Sequence, residues 1–102
     1  MVEVRDNPAE NRFEIFDGET MAGFARYVRR PGRIIFVHTE IDPAFEGKGM
    51  GSQLAAAALD AARAAGEHVV PLCPFINDFI DRHPEYIDLV DTELMTRLAQ
   101  NR

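Results

Sequence analysis

Three glycines stand at alternate positions, Gly47, Gly49 and Gly51, between an apolar run and an alanine-rich segment. The apolar run, residues 34–41, is typical of a strand, and the segment after the glycines has the periodicity of an amphipathic helix. Because glycine has no Cβ, such a loop can bring backbone N–H groups close to an anion, and the helix N-terminus adds a partial positive charge. The pattern therefore predicts a phosphate or pyrophosphate site.

Two common phosphate-binding loops fit this spacing poorly. A Walker loop requires Ser or Thr after its Gly-Lys pair, but Gly49 follows Lys48 here. A dinucleotide fingerprint requires glycine where Ser52 stands, and it follows its strand directly, whereas residues 42–46 intervene here. A dinucleotide-binding fragment is kept as an alternative that binding of NAD would support.

Three further side chains could take part in chemistry at this site. His38 and Glu40 alternate on the strand before the loop, so they are expected on one face, where either could accept a proton. His38 could equally be a half-buried strand residue satisfied by a neighbour. Cys73 lies between a predicted strand and a predicted helix, whose N-terminus would favour the thiolate. Cys73 could be a nucleophile, a polar wall of a binding tunnel or an inert packing residue.

The composition limits the class of protein. The chain has 102 residues, 46% of them apolar, which predicts a single globular domain over residues 1–102. A net charge of -6 argues against binding to nucleic acid, because the surface would repel a polyanion. One cysteine excludes an internal disulfide framework. We expect a cytoplasmic protein with no signal peptide, no membrane span and no metal site.

The order of elements predicts an antiparallel β meander followed by a strand–helix–strand unit. Residues 1–11 are expected to form a short edge strand or a loose start. The other predicted strands are residues 12–16, 19–29, 33–41, 68–72 and 86–90, and the predicted helices are residues 51–65, 75–82 and 92–100. Because such crossovers are right-handed, the strands ending at Ile41 and Leu72 should be parallel. The predicted buried side of the first helix consists of Leu54, Ala57, Ala58, Ala61, Ala62 and Ala65.

Two segments resemble a known family. Residues 41–51, IDPAFEGKGMG, resemble the acyl-CoA loop of the GNAT superfamily of acetyltransferases, with Glu46 where that family usually has Arg or Gln. Residues 71–86, PLCPFINDFIDRHPEY, are similar to the corresponding segment of the minimal YjdJ-type GNAT-like proteins. The resemblance implies a GNAT-like α+β fold that lacks the N-terminal helices and carries a splayed parallel strand pair after the meander.

The resemblance also implies an acetyl-CoA-dependent N-acetyltransferase that acts on an unidentified primary amine, of a small molecule or a protein. Pyrophosphate would lie on the glycine loop and pantetheine between the splayed strands. The residues expected to contact acetyl-CoA or CoA are Ile41, Glu46, Gly47, Lys48, Gly49, Met50, Gly51, Ser52, Cys73, Asn77, Arg82 and His83.

Several alternatives stay open within that resemblance. The chain could be a CoA-binding module without catalysis. Asn77 and Arg82 could instead form a solvated helix face. For Tyr86, core packing is favoured over the thiolate-protonating role that tyrosines have in larger relatives. The partners expected are the cofactor and an amine acceptor, and the chain is expected to be a monomer or a weak homodimer paired through an edge strand.

Overall fold

The computed structural model describes residues 1–100, which form one five-stranded sheet and three α-helices. The strands are β1 (Val2–Asn7), β2 (Arg12–Asp17), β3 (Thr20–Arg30), β4 (Arg33–Ile41) and β5 (His68–Pro71). The helices are α1 (Met50–Ala64), α2 (Pro74–Arg82) and α3 (Thr92–Gln100). Strands β1 to β4 are antiparallel neighbours, and β5 joins β4 in parallel. The predicted α+β order of a meander followed by a parallel pair is confirmed.

The core lies between one face of the sheet and the helices. Ile15, Tyr27 and Phe36 fill the sheet side, and each is at most 1% exposed. Leu54 and Leu59 of α1 are fully buried against them. The alanines of α1 are small enough for the helix to lie close to the sheet. Helix α1 ends at Ala64, one residue before the predicted end, and the N–H groups of residues 66 and 67 donate to carbonyls of its last turn.

The predicted buried side of α1 is only partly right. Leu54, Ala58 and Ala62 are buried, but Ala65 is exposed and the remaining buried positions belong to a neighbouring side of the helix: Met50, Ala55 and Leu59. Alanine occurs all around this helix, so the periodicity alone could not choose the buried side. The large side chains of Met50 and Leu59 decide it.

A β-bulge divides β4. Tyr27 pairs with Phe36, but the preceding residue of β3, Arg26, pairs with His38, so Val37 is an extra residue. Phe36 faces the helices, and simple alternation would turn His38 and Glu40 to the same side. The bulge reverses this. His38 and Glu40 lie on the open face of the sheet, which the helices do not cover.

The last predicted strand is wrong. Residues Pro84–Leu89 form 3₁₀ turns, and only Val90 makes an isolated parallel bridge, with Val69 of β5. The reason is the three-residue spacing of Tyr86 and Leu89, which turns both side chains into the core. The terminal helix is confirmed as α3, although it has no buried residue. Within residues 1–100, no helix is long and apolar enough to cross a membrane.

Candidate active site

The parallel strands separate half-way along β4. Residues Arg33 to Phe36 pair with His68 to Pro71, and the N–H of Cys73 then donates to the carbonyl oxygen of Phe36 over 2.9 Å. In the described chain, the rest of β4 has a strand partner only on the β3 side. Helix α2 begins directly at Pro74, which has no N–H to satisfy at the first helical position. A gap therefore opens between the end of β4 and the start of α2.

Backbone groups of β4 point into this gap. The N–H of Asp42 donates to the carbonyl of Ala22 over 2.7 Å, so Asp42 turns its backbone towards β3. Backbone groups of successive strand residues point to opposite edges. By this alternation, the N–H and C=O groups of Thr39 and Ile41 point towards the gap. They are available to pair with a ligand that carries amide groups.

The glycine loop lies beyond the end of β4, where the gap is widest, and leads into α1. Gly47 and Gly49 have φ of 81° and 75°, a left-handed backbone that favours glycine. Gly49 is the N-cap of α1, and the N–H of Gln53 makes the first bond of the helix to the Gly49 carbonyl over 3.1 Å. The N–H groups of residues 50–52 thus have no acceptor within the helix, and the first turn contains no acidic side chain. This is the geometry of an anion site.

A cleft of about 430 Å³ joins the loop to the gap, and we name it the donor cleft. It is lined by Thr39, Ile41, Phe45, Glu46, Gly47, Gly49, Met50, Gly51, Ser52, Phe75 and Arg82. Eight of the twelve residues expected from sequence to contact the cofactor thus line one cleft, and Arg82 is one of them. Met50 is also a core residue, only 3% exposed, and it fixes the first turn of α1 in place.

The charges around the donor cleft are mixed. Arg82 reaches the lining from α2, and the Lys48 ammonium lies 5.6 Å from the centre of the Phe45 ring. Neither cation makes an ion pair with another described residue. Both can therefore compensate the charge of a phosphate. Glu46 also lines the cleft, and its carboxylate would repel the same ligand.

A second cleft of about 590 Å³ lies beside the start of β3 and the end of β4, and we name it the acceptor cleft. It shares Thr39, Ile41 and Glu46 with the donor cleft. Its other lining residues are Met21, Ala22, Gly23, Phe24, Glu40, Asp42 and Pro43. The two clefts therefore meet along the unpaired end of β4, where a group held in one could reach a group held in the other.

His38 and Glu40 form a contact pair beside the acceptor cleft. The Nε2 atom of His38 lies 3.0 Å from Oε1 of Glu40, and the ring of Phe24 is 6.1 Å from the imidazole. Both polar side chains are more than half exposed. The prediction that they share one face is confirmed, and only Glu40 lines the cleft.

Cys73 occupies the start of α2 but does not cap it through its side chain. Its thiol donates to Oγ1 of Thr39 over 3.3 Å, and the residue is only 3% exposed. Cys73 does not line the donor cleft itself. It lies behind Thr39, so its contact with a ligand would pass through that hydroxyl unless the pair separates.

Three other candidates lie away from the donor cleft. The Nδ1–H of His83 donates to the Phe79 carbonyl over 2.8 Å, and the imidazole stacks on the Phe79 ring at 3.9 Å. Asn77 is exposed on α2 and is not in the cleft lining. The Tyr86 hydroxyl donates to Oδ1 of Asp60 on α1 over 2.9 Å. Burial, and then this hydrogen bond, raises the pKa of Tyr86.

Several residues that line the two clefts were not predicted from the sequence as site residues, among them Thr39, Phe75 and Phe24. Thr39 faces the gap because of the bulge in β4, and no sequence pattern predicted that bulge. Phe75 was not among the residues expected to contact the cofactor, yet its ring forms one wall of the donor cleft. Phe24 lines the acceptor cleft and contacts the guanidinium groups of Arg12 and Arg26. The only sequence signal for this position was the alternation of residues along β3, which places Phe24 on the open face.

Comparison with known proteins agrees with this geometry. Residues 12–89 match the family model described as GCN5-related N-acetyl-transferase. The NMR solution structure of a GCN5-like protein from Staphylococcus aureus has the same fold, with a TM-score of 0.67 and 24% sequence identity over 86% of each chain. The family match covers most of this chain, including both clefts. The chain therefore belongs to the GCN5-related N-acetyltransferase family and is an acyltransferase.

Proposed function

We propose that this chain transfers an acetyl group from acetyl-CoA to a primary amine. The observation that carries the proposal is the meeting of the two clefts at the unpaired end of β4. One cleft ends at an anion-binding helix terminus, and the other is lined by carboxylates. A donor and an acceptor bound on the two sides would come together beside Thr39 and Ile41.

The donor cleft fits acetyl-CoA in three respects. Free N–H groups at the start of α1, with Lys48 and Arg82, would hold the phosphates. The backbone of Thr39 and Ile41 would pair with the pantetheine amides, as a neighbouring strand would. Gly47 and Gly49 have positive φ, and open space lies where a Cβ of either residue would stand, so the loop can approach a phosphate closely. The bound thioester supplies an activated acetyl carbon.

The acceptor cleft must contain a group that accepts the proton of the attacking amine. An alkyl amine has a pKa of about 10.4 and attacks only as the free base, so a neighbouring group must accept its proton. We assign this role to Glu40, directly or through a water molecule, with His38 holding its carboxylate in position. The carboxylates of Glu40, Asp42 and Glu46 would also attract the cationic form of the amine to the cleft.

Cys73 has a different place in this scheme. Because Cys73 is buried behind Thr39 and bonded to its hydroxyl, we favour a packing role over a nucleophile and propose direct transfer to the amine. In the other route, the Cys73 sulfur would form a bond to the acetyl carbon as CoA leaves as its thiol, and the amine would then displace the sulfur. Intact mass after incubation with acetyl-CoA alone distinguishes the routes. Direct transfer predicts no acetyl adduct on Cys73.

The test of the function is release of the CoA thiol in the presence of primary amines. A polyamine and a lysine-containing peptide sample the two classes of acceptor. We expect Glu40→Gln to lower the transfer rate by roughly a hundredfold, within the usual range for loss of a proton acceptor. Glu10→Gln, an exposed change in the turn between β1 and β2, should leave the rate unchanged.

Other outcomes would support the alternatives. CoA binding without thiol release for any amine would favour a binding module. Stabilisation by NAD and not by acetyl-CoA would favour a dinucleotide-binding fragment. Equal rates for wild type and Glu40→Gln would remove Glu40 from the mechanism.

A further inference from the structure

Strand β1 leaves one edge of the sheet open. It is the outermost strand and pairs only with β2 among the described strands. The N–H of Gly18 donates to the carbonyl of Met1 over 2.9 Å, so Met1 turns its backbone towards β2. By alternation, Glu3 and Arg5 do the same. The N–H and C=O groups of the even-numbered residues, Val2, Val4 and Asp6, therefore point away from the sheet.

The two faces of β1 differ in character. Val4 pairs with Ile15 and packs against the core, so the even-numbered side chains lie on the helix-covered face. Glu3 and Arg5 lie on the open face, where Nη2 of Arg5 is 2.9 Å from Oε2 of Glu3. Both charged side chains are more than half exposed. They are free to make further contacts across the edge.

The sequence of β1 is complementary to itself in only one register. Antiparallel pairing of two copies across a two-fold axis must place even-numbered residues opposite each other, because these carry the free backbone groups. If the two-fold axis passes through Glu3, the two Glu3 side chains lie opposite each other. If it passes through Arg5, the two Arg5 side chains do. If the axis passes through Val4, Glu3 of each copy lies opposite Arg5 of the other copy. Opposite charges stabilise such cross-strand pairs and like charges destabilise them.

We propose that two copies of this chain associate through β1, antiparallel and centred on Val4, to form one continuous ten-stranded sheet. The free N–H and C=O groups of Val2, Val4 and Asp6 pair with those of the second copy. The helices of both copies lie on the same face, and the two Val4 side chains meet there. This surface is separate from both clefts, so the association does not depend on the proposed acetyl transfer.

The dimer is weak because the contact is a single short strand from each copy. Each chain also carries a net charge of -6, which opposes association. We expect monomer and dimer in exchange over the micromolar to millimolar range. Sedimentation velocity should show a mass that rises with concentration towards twice that of one chain.

Charge exchange provides the decisive experiment. Glu3→Arg places Arg against Arg in both cross-strand pairs, and Arg5→Glu places Glu against Glu. Each variant alone should raise the dissociation constant by roughly tenfold or more. An equimolar mixture of the two single variants should associate as wild type does, and so should the double variant that carries both changes.

Val2→Pro tests the backbone pairing independently. The N–H of Val2 faces the open edge, so proline removes no bond to β2 and suits an edge strand. We expect loss of the dimer with little change in the thermal midpoint, which is checked for every variant. The proposal is overturned if wild type stays at the mass of one chain up to millimolar concentration. It is also overturned if the single charge variants associate as strongly as wild type.

Discussion

A Cβ atom placed on Gly51 would lie 2.7 Å from Cζ of Phe75. This distance is too short for a carbon–carbon contact, so the first turn of α1 and the ring of α2 meet only because residue 51 is glycine. Both residues line the donor cleft. The glycine therefore sets the width of the cleft, while its neighbours in the loop set the backbone conformation.

Gly51→Ala should impair ligand binding more than folding. The backbone of residue 51 is helical, and alanine favours a helix by up to about 1 kcal/mol over glycine, which offsets part of the strain. The displaced Phe75 ring would narrow the donor cleft. We expect the dissociation constant for CoA, measured by calorimetry, to rise at least about fivefold, a change of about 1 kcal/mol.

The matched control for that change is the double variant Gly51→Ala with Phe75→Leu. The smaller leucine makes room for the new methyl group, so CoA affinity should recover at least in part. If Gly51→Ala binds CoA as tightly as wild type, the ring is not a wall of the ligand site.

Glu46→Gln should strengthen CoA binding. Glu46 lines the cleft that ends at the anion site, and its carboxylate opposes a phosphate there. Removing one exposed charge should lower the dissociation constant roughly two- to fivefold at low salt, with a smaller effect at high salt because exposed charges are screened. Glu10→Gln is the control. Weaker binding by Glu46→Gln would show that the carboxylate accepts a hydrogen bond from the ligand instead of repelling it.

Tyr86→Phe should affect stability and leave transfer unchanged. The hydroxyl of Tyr86 donates to Asp60 and lies outside both cleft linings. Loss of this hydrogen bond should lower the free energy of unfolding by about 1 kcal/mol, as measured with urea. A fall in the transfer rate at saturating substrates, with folding intact, would restore Tyr86 as a proton donor to the leaving thiolate.

Stability should decline at alkaline pH because of Tyr27. Burial, and then the hydrogen bond donated to Asp6, raises the pKa of Tyr27 to about 12, against about 10 in the unfolded chain. The folded state then holds its proton where the unfolded state has lost it. The resulting stability is fully present below about pH 10 and is lost as the pH rises through about 12.

Urea unfolding of wild type and Tyr27→Phe at about pH 8 and about pH 11.5 checks this prediction. Wild type should lose up to about 2 kcal/mol more than the variant between the two conditions, since one pKa unit corresponds to about 1.4 kcal/mol. Equal losses would mean that Tyr27 does not control the alkaline transition.

The sequence predicted the meander, the glycine loop and the parallel crossover because each depends on local signals. The β-branched and aromatic run of β4 and the glycines after it are visible in the chain. The bulge at Val37 is not, because it arises from pairing with β3. It decides that Thr39 enters the gap and that Glu40 faces the acceptor cleft.

The segment after α2 was predicted incorrectly for a related reason. Tyr86 to Val90 has the composition of a strand, but Tyr86 and Leu89 find buried places at a three-residue spacing. Tertiary packing overrode the local preference. The contacts of His83 with Phe79 likewise depend on packing and could not be read from the sequence.

Thermal unfolding with acetyl-CoA, CoA, NAD and ATP in parallel tests the central claim most directly. A ligand at about a hundred times its dissociation constant stabilises the folded state by roughly 2.7 kcal/mol, which raises the midpoint of a domain this size by several degrees or more. We predict that rise for acetyl-CoA and CoA, a smaller one for Gly51→Ala, and none for NAD. Unchanged midpoints with both acetyl-CoA and CoA would contradict the assignment of the donor cleft and of the transfer reaction.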